Sequence, residues 1–180
     1  MLFEDFFDAL TSPALRAVVA HWGAARGTRA MPGWQQLQPA RMARQLPIIW
    51  VYRYDAAAGQ FTGRLAGDRI TRGFAKSFRG TRLEDLHPAT TLSAVQAYMT
   101  RVVREPSLYM CRGALFRQAD RVAEGERIML PLAGDGIHGD GVLGASDYHY
   151  PVANADYAPI ELLTEGEQWH SLTPGIAAAA

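Results

Sequence analysis

Residues 46–70, LPIIWVYRYDAAAGQFTGRLAGDRI, decide how the rest of the chain is read. Ile48 to Tyr54 is β-branched and aromatic and apolar at successive positions, which predicts a strand covered on both faces. Ala56 to Gly59 supplies a turn, and Phe61 to Ile70 is the expected hairpin partner, with Gly63 and Gly67 weakening that strand in isolation. Asp68 to Leu86 then alternates short helical turns with Gly73 and Gly80, too broken for one long helix. Leu92, Val95, Met99, Val102 and Val103 recur at helical spacing before Pro106, which predicts a helix over Thr91 to Arg104. Three more strands are expected at Leu108 to Ala119, Arg127 to Ala133 and Val142 to Tyr150, with turns at Glu124-Gly125 and Gly134-Asp135-Gly136. Two strands, a helical middle and a three-stranded meander make the element order of an α+β domain.

Upstream, Phe3, Phe6, Phe7 and Leu10 fall at helical spacing, and Thr11-Ser12-Pro13 provides a cap residue followed by proline at a first helical position. Leu15, Val18, Val19 and Trp22 form the apolar stripe of a second helix that ends near Gly27. A loop from Thr28 to Pro39 and a short helix over Arg41 to Gln45 lead into the first strand. Beyond Pro151 the signals fade, and Ser171 to Ala180 reads as a frayed tail. The division is an N-terminal helical extension at 1–45, a core at 46–150 and a C-terminal tail at 151–180.

A length of 180 residues suits one domain at roughly 100 to 200 residues per domain. Hydrophobic residues at 48% and charged residues at 20% match an ordinary globular mix and exclude wholesale disorder. No apolar run reaches the ~20 residues that span a bilayer, and Glu4 and Asp5 sit where a secretory signal carries positive charge. The reading is cytoplasmic, with no membrane insertion. The 18 Lys+Arg balance 18 Asp+Glu, against a nucleic-acid binder. The charges are unevenly placed: Arg16 to Arg82 holds 12 basic residues against Asp55 and Asp68, while Asp120 to Ala180 holds 10 acids against Arg121 and Arg127. Either the two ends of the sheet lie side by side and neutralise each other, or the basic stretch docks an acidic partner; the first needs no partner.

Few chemistries have their signature. Five histidines, at 21, 87, 138, 149 and 170, include no pair at i, i+4 that would bind a metal on one helical face. Cys111 is alone, which excludes an internal disulfide and reads as a small buried hydrophobe. Gly134-Asp135-Gly136 and Gly139-Asp140-Gly141 lack the alternating acids of a calcium loop and read as turns. No nucleophile elbow, Walker loop or dinucleotide fingerprint is present.

Trp22 with Arg26, Met31-Pro32, Pro39, Leu46-Pro47, Arg64-Leu65-Ala66-Gly67, Gly80-Thr81-Arg82-Leu83, Leu130-Pro131-Leu132 and Asp135-Gly136 follow one another in an order that resembles a PAS family. The match is to small stand-alone bacterial PAS-like proteins in which a tryptophan-bearing helix precedes the core, and it covers about Leu15 to Tyr148. Gln38 and Asp68 depart from the pattern, where that family usually carries an acid and a threonine. The resemblance implies a PAS-like five-stranded sheet with a helical middle, and a non-enzymatic sensory or adaptor domain in bacterial signalling. It would bind a small ligand or a protein partner, and dimerisation through flanking helices is common in the fold. His87-Pro88 then reads as a capping element rather than a haem ligand, and the lack of cysteine from Gly73 to Leu86 argues against covalent flavin; no other cofactor is indicated.

A pocket between sheet and helical middle would be lined by Phe61, Leu65, Phe74, Phe78, Leu86, Met99 and Leu132, with Arg64 as its polar member or paired to an acid. Trp22 is expected to pack its helix onto the sheet against Trp50 or Tyr52. Phe3, Phe6, Phe7 and Leu10 either mediate a homodimer or fold back onto the domain. The competing reading is a small α+β cone or hot-dog enzyme acting on a hydrophobic substrate, with Asp147 or His149 as base. A purely structural oligomerisation module is the third.

Overall fold

The computed structural model describes residues 2–72, 77–119, 121–149, 160–163 and 165–172. Two N-terminal helices, α1 (Leu2–Ala9) and α2 (Pro13–Arg26), and short 3-10 turns at Trp34–Leu37, Pro39–Met42 and Leu46–Ile48 precede β1 (Ile49–Asp55) and β2 (Gln60–Ala66). The helical middle is α3 (Asp68–Thr71), α4 (Leu83–Leu86) and α5 (Ala89–Arg104). Strands β3 (Ser107–Gln118), β4 (Arg121–Leu132) and β5 (Gly141–His149) follow, then β6 (Ile160–Leu162) and β7 (Gln168–Ser171). The sheet runs β2-β1-β5-β4-β3, antiparallel throughout, and both β6 and β7 pair with the far edge of β3. The first strand does lie beside a late one, since β1 pairs β5 from Ile49↔Ala145 to Arg53↔Gly141.

Strand periodicity splits the core in two. Ile49, Val51, Leu108, Met110, Ile128, Leu130, Leu132 and Leu143 point to an outer face covered by α1, α2 and the 3-10 turns. Tyr52, Tyr54, Tyr109, Cys111, Met129 and Val142 point to an inner face covered by the helical middle, with Val95, Met99, Val102 and Val103 of α5 packed on it. Both faces are covered, which is why Ile48 to Tyr54 reads as continuously apolar. Among the described residues no helix is long and apolar enough to cross a membrane.

Several expectations need correction. Among the described residues the sheet has seven strands, not five, because the segment beyond Pro151 contributes β6 and β7. With three and four residues they are too short to show a period, and aromatic contact fastens β7, where Trp169 packs on Tyr109 at 4.7 Å and on Tyr98 at 5.7 Å. β4 begins at Arg121, so Glu124-Gly125 lies within a long hairpin; the chain reverses just before it, beyond Ala119 in left-handed conformation (φ 54°). β2 ends at Ala66, and the rest of its expected span turns into α3.

The most consequential difference is a bulge. Tyr52 pairs with Gly63 but Val51 pairs with Leu65, so Arg64 is an extra residue on β2. One inserted residue sends every following side chain to the opposite face. Phe61 therefore faces inward and Leu65 outward. Pro131 tolerates its place in β4 because Leu132 bonds toward β5, its carbonyl accepting from Asp140 at 2.8 Å, so Pro131 points the other way. Its free carbonyl accepts the Trp22 indole N–H at 2.9 Å.

Candidate functional site

On the inner face a polar row crosses three strands. Arg127 of β4 stands opposite Cys111 of β3 on one side and Ser146 of β5 on the other. Arg127 Nε donates to Ser146 Oγ at 3.0 Å, and the Trp50 indole N–H of β1 donates to the same oxygen at 3.2 Å. The Trp50 ring lies flat over Gly144, where an added Cβ would fall 2.1 Å from the indole, so glycine is required there. Ser146 is 1% exposed, whereas Arg127 is half-buried.

The field of Arg127 is felt around it. His87, between α4 and α5, is driven down to about 4, first by burial and then by the Arg127 charge, so it is neutral near pH 7. Burial raises the Cys111 thiol, with Arg127 opposing, and a buried thiol of that kind is a poor nucleophile. Tyr109 and Tyr52 are likewise raised by burial and stay protonated. The site therefore holds a cation, neutral hydrogen-bonding groups and aromatic walls.

Directly behind this row is a second polar cluster, on the outer face. Glu126, beside Arg127, is 3% exposed and accepts from the Ser12 amide at 2.8 Å, the Thr11 amide at 3.1 Å and Arg112 Nε at 2.9 Å. Asp147, beside Ser146, accepts from Ser12 Oγ at 2.6 Å. The Ser12 oxygen also caps α2 by accepting the Leu15 amide at 3.2 Å. Because Arg127↔Ser146 and Glu126↔Asp147 are consecutive register pairs, the inner row and the clasp on α2 are back to back on the same two strands.

The expected pocket residues divide between the two faces. Phe61, Phe78, Leu86 and Met99 share the inner face; Leu65 and Leu132 lie on the outer one, Leu65 because of the bulge and Leu132 because it alternates with inner Met129 by an odd step. Phe74 lies outside the described residues. Arg64 is exposed and stacks on Trp34 at 4.6 Å instead of entering a pocket or pairing with an acid. Of the N-terminal stripe, Phe6 and Leu10 are fully buried in the outer core, Phe3 stacks on Trp22 at 6.1 Å and Phe7 carries the Arg16 guanidinium at 5.6 Å. The segment folds back, which removes the two buried residues from any interface. Trp22 is fully buried, on the face opposite Trp50 and Tyr52.

His87-Pro88 does cap: His87 ends α4, its amide donating to the Leu83 carbonyl at 3.2 Å, and Pro88 is the N-cap of α5, without a side-chain cap bond. Asp147 is already held by Ser12 and, at 3.5 Å, by Arg69, and His149 is exposed at the end of β5. Arg69–Asp147 joins the basic stretch to the acidic one, a single such ion pair among the described residues. Asp135 accepts the amides of Ile137 and His138 at 2.8 and 2.7 Å, a turn as expected. Missing from the sequence reading were Arg127, Ser146 and Trp50; the available signal was that Arg127 and Met129 share a face in a strand whose other face is Ile128, Leu130 and Leu132.

Comparison with family models finds one described as PAS domain matching residues 10–146, well over half of the chain. No curated protein and no solved structure matches.

Proposed function

The chain belongs to the PAS domain family, and we propose that it works as a sensory module, taking a small ligand on the inner face of the sheet and reporting occupancy through its N-terminal helices. Family membership supports a sensory or adaptor role in general. The observation that carries the finer reading is the back-to-back register of Arg127↔Ser146 with Glu126↔Asp147. A ligand that draws Arg127 or Ser146 inward tilts β4 and β5 at the positions where Glu126 and Asp147 hold the start of α2. Release or tightening of that clasp is a two-state element that a ligand can bias. Output then passes by association, to a signalling protein in a bacterial cytoplasm or to a second copy of the chain, with no chemical change in the ligand.

The test is amide nuclear magnetic resonance of the freshly purified protein against a set of small organic molecules, with the ultraviolet-visible spectrum recorded beforehand. Shifts concentrated at residues 125–129 and 142–146 are expected. A set whose shifts fall only on exposed surface residues, with the inner-face amides unmoved, overturns ligand sensing at this site.

A further inference from the structure

Among the described residues, the donors of the inner face outnumber the carboxylates available to them, of which there is none. Ser146 Oγ accepts from both Arg127 and Trp50, which leaves its single O–H to donate elsewhere. Arg127 uses Nε on Ser146, and its terminal nitrogens make no ion pair with a carboxylate among the described residues. Of the acids whose charge reaches Cys111, Glu126 is spent on Thr11, Ser12 and Arg112 across the sheet, and Glu167 is exposed. A guanidinium drawn among Cys111, Met129 and Trp50 loses hydration, and the usual compensation is an opposite charge. Nothing described on this face supplies one.

Resting on the ligand-sensing reading above, we infer that the ligand is a small apolar monocarboxylate, its carboxylate held by the Arg127 guanidinium and the Ser146 hydroxyl. A guanidinium fork matches a carboxylate with two parallel bonds. The charge count selects the acid: His87 is neutral, so among the described residues Arg127 is the cation bonded to Ser146, enough for a carboxylate but not for a phosphate dianion. Trp50, Tyr109 and Met129 around it offer apolar and aromatic contact to the remainder of such a molecule.

Phenylacetate, its neutral isostere phenylacetamide and phenyl phosphate separate the alternatives by calorimetric titration on the full chain. Phenylacetate is expected to bind, with the amide and the phosphate at least about 10-fold weaker. Arg127→Met should weaken phenylacetate by roughly 10- to 100-fold while leaving the amide's affinity unchanged, and Arg127→Lys should recover part of the loss. Ser146→Ala, a smaller change, should weaken the acid in the same direction if Arg127→Met proves poorly folded. Equal affinity for acid and amide, or phenylacetate binding unaffected by either variant, overturns the carboxylate assignment while leaving a neutral inner-face ligand standing. Stronger binding of phenyl phosphate reassigns the anion and overturns it too. If none of the three moves the inner-face amides and the wider set above does not either, the sensing reading itself fails.

Discussion

Replacing Glu126 by glutamine keeps the shape of the side chain and removes its charge and one of its two acceptors. In the native protein Oε1 takes Arg112 Nε and a terminal Arg112 nitrogen at 2.9 and 2.8 Å, and Oε2 takes the Ser12 amide at 2.8 Å and the Thr11 amide at 3.1 Å. A glutamine that keeps its oxygen toward Arg112 presents an NH2 to the amide donors, so the Ser12 N–H loses its acceptor and the Thr11 N–H keeps only its bond of 3.1 Å to Oε1, at a site where Glu126 is 3% exposed. Leaving the half-buried Ser12 donor unsatisfied costs roughly 1 to 3 kcal/mol; exposed Thr11 adds little, and so does the weakened bond to Arg112, because that side chain is 45% exposed and solvent replaces it. The expected loss is about 1 to 3 kcal/mol, lowering Tm by roughly 2 to 12 °C for a chain of this size. Urea denaturation measures the first figure and calorimetry the second. Hydrogen exchange adds a local readout, since Thr11 and Ser12 should exchange faster than in the native protein even where the sheet stays protected. Unchanged stability together with unchanged protection at these two amides would refute the clasp.

Trp22→Ala should cost about 3 to 5 kcal/mol, the usual loss for a fully buried large aromatic, and it also orphans the Pro131 carbonyl; an unchanged melting temperature contradicts its placement. His87, neutral in the fold with its value lowered from 6.5 to about 4, makes stability fall as pH drops through that window, because the unfolded chain takes up a proton the folded chain refuses; His87→Gln should flatten the slope between pH 6.5 and 4 in denaturation curves, and a slope unaffected by the variant rejects the burial of this imidazole. Removing residues 1–11 uncovers Trp22 and Val19 and should lower stability and promote association seen by light scattering, whereas a full-length dimer that becomes a stable monomer on truncation would restore the phenylalanines to an interface.

The parts of the fold that sequence disclosed are those with a sustained period. α5 followed from Leu92, Val95, Met99, Val102 and Val103, and β1 from an apolar run that both faces of the sheet cover. Three physical effects hid the rest. A bulge changes facing without altering composition, so nothing in Thr62-Gly63-Arg64-Leu65 announced that Leu65 would turn outward. β6 and β7 are stabilised by the free edge of β3 and by Trp169, a tertiary effect acting on segments with no period of their own. The inner polar row was missed because an arginine in a strand reads as solvent-facing, and Arg127 lies inward on a face that helices cover too. The N-terminal stripe had two open readings, and α2 decided between them: Phe3 packs over Gly23, where an added Cβ would come within 2.7 Å of its ring.

The coupling between the two faces can be measured directly by hydrogen exchange at Thr11, Ser12 and Leu15 with the inner face empty and then saturated with phenylacetate. Occupancy should change exchange at these α2 amides at least severalfold, and Arg127→Met should abolish the change. Phenylacetate bound to Arg127 and Ser146 with exchange at the start of α2 left untouched would contradict the coupling.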